Sequence, residues 1–208
     1  QDPGVLRELA HRKLAMEGYR FSEAHTSEVV DQYLDTEDYG LLRHGFQLRI
    51  RCTNGDCHVA LKSRGVSSDI GIYERMELEE PLSDGDHPAK IRDLPASLVK
   101  ALSAVIGKQQ EVDLICQVDQ TRIVRTILPA SPSRKAPNPM QLARLSLDEM
   151  RIREHGGDLI LARAFEVEIE LAADVDVAEL QVLADRFVGA YGLSPSTDTK
   201  LERALSIL

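Results

Sequence analysis

Three stretches of this chain alternate charged or polar residues with apolar ones at a strict period of two. They are Gln47-Leu48-Arg49-Ile50-Arg51, Arg75-Met76-Glu77-Leu78-Glu79 and Glu166-Val167-Glu168-Ile169-Glu170. Successive strand side chains point to opposite faces, so each stretch specifies one charged face and one face of Leu, Ile, Val or Met. A helix would scatter the same residues around its axis. The chain is therefore committed to sheet, with core on one side of it. Asn54-Gly55 adds a register, because both central residues of a type I′ hairpin turn need positive φ and this pair tolerates it. A two-residue turn there sets Thr53 opposite Asp56, Cys52 opposite Cys57, Arg51 opposite His58, Arg49 opposite Ala60 and Gln47 opposite Lys62. Arg49, Arg51 and Lys62 then share a face.

The rest of the chain fits around these strands. Apolar spacing predicts a helix from Val5 to Glu17, stopped by Gly18, and a strand through Val29, Val30 and Tyr33. The run from Asp35 to Gly40 reads as a corner. A strand from Ile72 to Leu78 is expected to close at Pro81, and Pro88 and Pro95 introduce a helical stretch to Ile106, stopped by Gly107. Residues 112–128 read as one or two strands, 130–139 as a proline-rich loop, and 145–152 and 164–171 as strands joined by a turn at Gly156-Gly157. A last helix is expected over 176–190. This order predicts an α+β fold with a mostly antiparallel sheet. Gln1 to Gly4 carry no pattern and read as a remnant ahead of the domain.

Composition limits the function. The 208 residues are 43% hydrophobic and 28% charged, which suits a globular chain with a real core rather than a disordered one. The formal charge of −9 excludes nucleic-acid binding driven by net charge, and 4% aromatics without Trp argue against base-stacking platforms. No stretch has the length and apolarity of a membrane span, so a cytoplasmic location is expected. Three Cys are too few for a disulfide scaffold, and Cys52 and Cys57 are expected as free thiols in a reducing compartment. The charges are also sorted by sign. Arg49, Arg51 and Lys62 sit together on the hairpin, while Glu166, Glu168 and Glu170 sit together on a late strand. A solvated face usually mixes signs. A polar lumen with helices packed on its apolar exterior explains both the sorting and the Leu/Ile/Val/Met faces. Cations on one wall and carboxylates on another suit a phosphate chain with a hard divalent metal.

The same residues resemble the CYTH family, the triphosphate tunnel metalloenzymes, which include class IV adenylate cyclases, thiamine triphosphatases and inorganic triphosphatases. The matching stretches are Asp31-Gln32-Tyr33-Leu34-Asp35-Thr36 with Leu41-Leu42, Leu48-Arg49-Ile50-Arg51, Leu61-Lys62, Arg75-Met76-Glu77, Thr121-Arg122, Leu147-Asp148, Glu166-Val167-Glu168 and Lys200. The resemblance implies a single domain over 1–208 built as an antiparallel eight-stranded β-tunnel with helices outside. It implies that Arg49, Arg51, Lys62, Arg75, Arg122 and Lys200 hold phosphate oxygens, and that Glu166, Glu168, Glu77 and Asp148 hold Mg²⁺ or Mn²⁺. The implied activity is metal-dependent hydrolysis of a triphosphate-bearing small molecule, with a catalytically degenerate binding module as the alternative. Neither nucleic acid nor membrane is an expected partner. The family's opening Glu-X-Glu-X-Lys strand is not found in this chain, and the sheet edge left by its absence makes a homodimer an expectation. Arg125 lies at odd spacing from Arg122 and is left out of the set.

Overall fold

In the computed structural model the described residues are 3–10, 14, 16–67, 73–74, 76–83, 88–130, 141–153, 157, 159–196 and 198–208. In chain order the strands are β1 (Tyr19–Phe21), β2 (His25–Asp35), β3 (Phe46–Thr53), β4 (Asp56–Ser63), β5 (Val66–Ser67), β6 (Tyr73–Glu74), β7 (Glu77–Leu82), β8 (Asp113–Pro129), β9 (Ala143–Arg153) and β10 (Ile160–Leu171). The helices are α1 (Pro3–Ala10), α2 (Gly40–Arg43), α3 (Ala96–Ser103), α4 (Val177–Tyr191) and α5 (Lys200–Leu205), with a 3₁₀ turn at Ile91–Asp93. The eight-stranded sheet runs β10-β9-β8-β2-β3-β4-β7, with β1 antiparallel on β8; β5 and β6 form a separate ribbon. Among the described residues no helix is long and apolar enough to cross a membrane.

The chain divides into two compact units. One comprises Gln1–Ser27, Thr121–Met150 and Arg163–Pro195, and the other Glu28–Gln120, Arg151–Ala162 and Ser196–Leu208. In the first, Leu6 and Leu9 of α1 and Leu183 and Phe187 of α4 bury against Ile127, Leu145 and Leu147. In the second, Leu98 and Leu102 of α3 and Ile91 bury against Leu48, Ile50, Val59 and Leu61. Each unit thus covers the apolar face of its strands with helix, as the alternation requires.

The hairpin has the expected register, from Phe46↔Ser63 to Thr53↔Asp56. Asn54 and Gly55 sit at φ 55° and 93°, as a type I′ turn demands. Cys52 and Cys57 form a disulfide with Cα atoms 4.1 Å apart, whereas free thiols were expected. They occupy the first non-hydrogen-bonded pair of the ladder, where facing side chains approach most closely.

Elsewhere the outline differs in detail. The first helix is shorter than the apolar spacing predicts, and Pro3 and Gly4 belong to it. Pro81 lies inside β7 rather than closing a strand. It is tolerated there because β7 ends the order of the described strands, a place where proline's missing N–H is accommodated. Residues 112–128 form one long strand, β8, and a helix, α5, follows the Ser/Pro-rich loop. The expected turn at Gly156-Gly157 and the loop over 130–139 lie almost wholly outside the described residues.

Candidate functional site

Strand register in the second unit sets out a grid of side chains on the face away from its core. Asp31 of β2 pairs with Arg51 of β3, which pairs with His58 of β4. One step along the grid, Tyr33 pairs with Arg49, Arg49 with Ala60, and Ala60 with Glu79 of β7. A further step pairs Gln47 with Lys62 and Lys62 with Glu77. The sequence brings Arg49, Arg51 and Lys62 together as expected, but it also threads carboxylates between them.

Each cation has its own relation to those carboxylates. Arg51 donates from Nε to Asp31 Oδ1 and from Nη2 to Oδ2, both at 2.6 Å, in the bidentate fork typical of Arg and carboxylate. Gln120 Nε2 donates to Asp31 Oδ2 at 2.6 Å. Lys62 Nζ sits 2.7 Å from Glu77 Oε1. Arg49 is different. It is 6% exposed, makes no hydrogen bond among the described residues, and stands 3.8 Å from Asp31, 3.9 Å from Glu77 and 3.9 Å from Glu79. Its buried Nε has no hydrogen-bond partner among those residues. Ala60, the small residue beside it, leaves room for the guanidinium to extend toward β7.

Asp31 is fully buried, and burial alone would raise its pKa. The Arg51 fork and the charges of Arg49, Arg51 and Lys200 overcome that and hold the carboxyl down at about 2. Tyr33 beside it is pushed above its ordinary value by burial and by the Asp31 charge, and Cys116 is pushed up to about 12 for the same two reasons. Lys200 opens α5, whose cap Thr199 accepts from Glu202 N and, through its hydroxyl, from Gln47 Nε2 at 2.9 Å. That bond ties the start of α5 to the hairpin. Asp35 and Thr36 turn out to be structural. Asp35 accepts from the backbone N–H of Thr36, Leu41 and Leu42, and Thr36 Oγ1 accepts from Gly40 N, so together they hold the corner leading into α2.

In the first unit Arg122 donates from Nε and Nη2 to Asp148 at 2.7 and 2.6 Å, and from Nη2 to Glu168 at 3.0 Å. Glu166 lies two residues before Glu168 on β10 and so shares its face. Arg125 points the other way. It donates to the carbonyls of Ser22 and Leu9 and lies 5.7 Å over the Phe21 ring, within the core. Arg75 lies outside the described residues.

Among the described residues no three Asp, Glu, His or Cys groups come together as a metal site. Asp148 is engaged on both oxygens by Arg122, Glu168 shares that guanidinium, and Glu77 is paired with Lys62. In this arrangement Asp148, Glu168 and Glu77 neutralise the chain's own cations. The sorting of charges by strand is therefore resolved across strands. Burial makes each neighbouring pair compensate.

The family model of the CYTH domain matches residues 6–205. The chain belongs to the CYTH family. Solved structures with this fold include a candidate adenylate cyclase of Bacillus halodurans, at TM-score 0.66 and 15% identity over 98% of this chain and 92% of that one. A candidate adenylyl cyclase of Hippeastrum, described as having a dominant triphosphatase activity, aligns at TM-score 0.62 and 19% identity over 99% and 91%. A Pyrococcus horikoshii protein aligns at TM-score 0.52 and 14% identity over 99% and 94%. No curated protein matches the chain. Within this CYTH domain, sequence reasoning passed over Asp31, Gln120 and Glu79. Asp31 shares strand parity with Tyr33, but parity alone does not place it beside Arg51, which takes the β2–β3 pairing. Gln120 shares β8 parity with Arg122, but a lone Gln among Val and Asp gives no signal.

Proposed function

We propose that this CYTH protein binds the phosphate chain of a triphosphate compound on Arg49, Arg51, Lys62 and Lys200, with Arg75 and Arg122 joining the set on the family resemblance, and hydrolyses the terminal phosphoanhydride. The observation that carries this reading is Arg49: a buried guanidinium that makes no hydrogen bond among the described residues, its Nε included. A buried charge with vacant donors is costly unless an acceptor arrives to fill them. Phosphate oxygens have the charge and the geometry for an arginine fork. The dominant triphosphatase activity of the Hippeastrum relative supports hydrolysis as the reaction class.

In the reaction, water attacks the terminal phosphorus in line and the bond to the bridging oxygen breaks, releasing orthophosphate and a diphosphate. Transferred charge spreads over equatorial and leaving oxygens. Arg49 donates to oxygens on which charge grows, while Arg51, fixed by Asp31, and Lys62 hold the rest of the chain in register. Mg²⁺ or Mn²⁺, as expected from the family, would supply further neutralisation when bound; no step is assigned to it, because the carboxylates here are paired with Arg and Lys.

That pairing favours a second reading, binding without turnover. Titration calorimetry with tripolyphosphate, with Arg49→Ala as the comparison, tests the binding. Phosphate release measured with Mg²⁺, with Mn²⁺ and with chelator tests the turnover. Binding with metal-dependent release is the expected result. Binding without release under any condition establishes the second reading, and no binding by the unsubstituted chain refutes both.

A further inference from the structure

Asp31 has no place in the functional reading as a ligand of phosphate, since it is an anion in the midst of an anion site. Its surroundings are nonetheless closely hydrogen-bonded. It is 0% exposed and accepts three hydrogen bonds at 2.6 Å, two from Arg51 and one from Gln120. Gln120 is also 0% exposed. Its amide orientation is decided by the carboxylate, which can receive only the NH₂ end. The consequence is that Gln120 Oε1 is left buried without a hydrogen-bond partner among the described residues. An orphaned buried acceptor costs stability, and a leucine at this position would avoid that cost. Gln120 spends it to secure Asp31.

The saturation of Asp31 also explains Arg49. With Arg51 and Gln120 on its two oxygens, Asp31 keeps Arg49 Nε at 3.8 Å, close enough for charge attraction and too far for a hydrogen bond. One arginine is thus locked and its neighbour is held nearby with its donors unspent. We propose that Asp31, secured by Gln120, is the positioning residue of the phosphate grip: it fixes the Arg51 guanidinium and stations Arg49 without consuming it. This inference rests on the triphosphate-binding reading above.

The sign of one substitution separates positioning from simple counter-charge. Asp31→Asn removes a negative charge from a site for anions, so a mere counter-charge predicts tighter binding. Positioning predicts weaker binding, because the Asn amide cannot accept the fork from Arg51 on both atoms. Tripolyphosphate titration on the full chain at fixed ionic strength is expected to give binding weakened about tenfold or more for Asp31→Asn, and by a few fold for Gln120→Leu. Arginine Nε–H NMR provides a readout that general destabilisation would not move. The Arg51 signal is expected to exchange slowly with water in the unsubstituted chain and rapidly in Asp31→Asn, with the backbone spectrum of the α1 and α4 core unchanged. Equal or tighter binding by folded Asp31→Asn overturns the inference while leaving triphosphate binding standing. If Asp31→Asn fails to fold, unchanged affinity in Gln120→Leu overturns it. Failure of the unsubstituted chain to bind removes the functional reading and this inference together.

Discussion

Arg49 carries its charge without spending its donors, and this one side chain links burial to function. Arg49→Ala is expected to weaken tripolyphosphate binding by about 1.5–3 kcal/mol, the range for hydrogen bonds to charged groups. Arg49→Lys is expected to recover only part of it, since an ammonium lacks the planar fork; calorimetry on both variants checks this. Asp31 carries a second prediction, in pH. Its pKa falls from 3.8 to about 2 on folding. A depressed carboxyl contributes stability that is fully present above the unfolded value and is lost as pH falls through the folded one. The contribution is on the order of 2 kcal/mol, disappearing between about pH 4 and pH 2. Denaturant midpoints measured across that window should drop in the unsubstituted chain more steeply than in Asp31→Asn.

At the level of elements, parity decides what an arginine does. Arg122 and Arg125 are three residues apart on β8, so they face opposite ways; one meets Asp148 and the other two backbone carbonyls beneath Phe21. Arg125→Met should cost about 2 kcal/mol by leaving those carbonyls unpaired, with tripolyphosphate affinity unchanged. Equally weakened binding would mean that Arg125 belongs to the site. Thr199 offers a test on α5. Thr199→Ala removes the cap and the Gln47 bond, costing about 1 kcal/mol in thermal stability and loosening Lys200, whereas Thr199→Ser should restore the cap. The same logic marks what the sequence could disclose. The hairpin register was legible because Asn54-Gly55 admits essentially one turn, and with it the shared face of Arg49, Arg51 and Lys62. The partners of those cations were not legible, since which strand lies beside which is a property of the whole sheet order. The reach of α1 was misjudged because apolar spacing continues to Glu17, whereas Leu14 is not helical and Met16 already bridges to Tyr19. The disulfide was misjudged from an assumed compartment, although the register already placed Cys52 opposite Cys57.

Taken whole, the chain is strongly acidic, at −9, yet concentrates cations on a few strand faces. Small polyanions should reach those faces, while long ones should be repelled by the remaining surface. Tripolyphosphate affinity is therefore expected to fall with added salt, and single- or double-stranded nucleic acid should show no gel shift at about 0.15 M salt, where screening leaves only close contacts. A nucleic-acid shift that tripolyphosphate competes away would redirect the substrate assignment. β8, finally, has a genetic reading. A strand whose alternate residues serve opposite faces has a frame of its own, with a period of two residues rather than three nucleotides. One codon inserted between Gln120 and Arg122 would leave the gene in frame and this second frame broken: Arg122 would turn toward apolar packing and Arg125 away from the carbonyls it holds. Unless a bulge absorbed the extra residue, the damage would run to the end of the strand. Descendants of this chain can therefore change letters of β8 that keep this alternation far more readily than its length, and the history of the family in this segment should be one of substitutions.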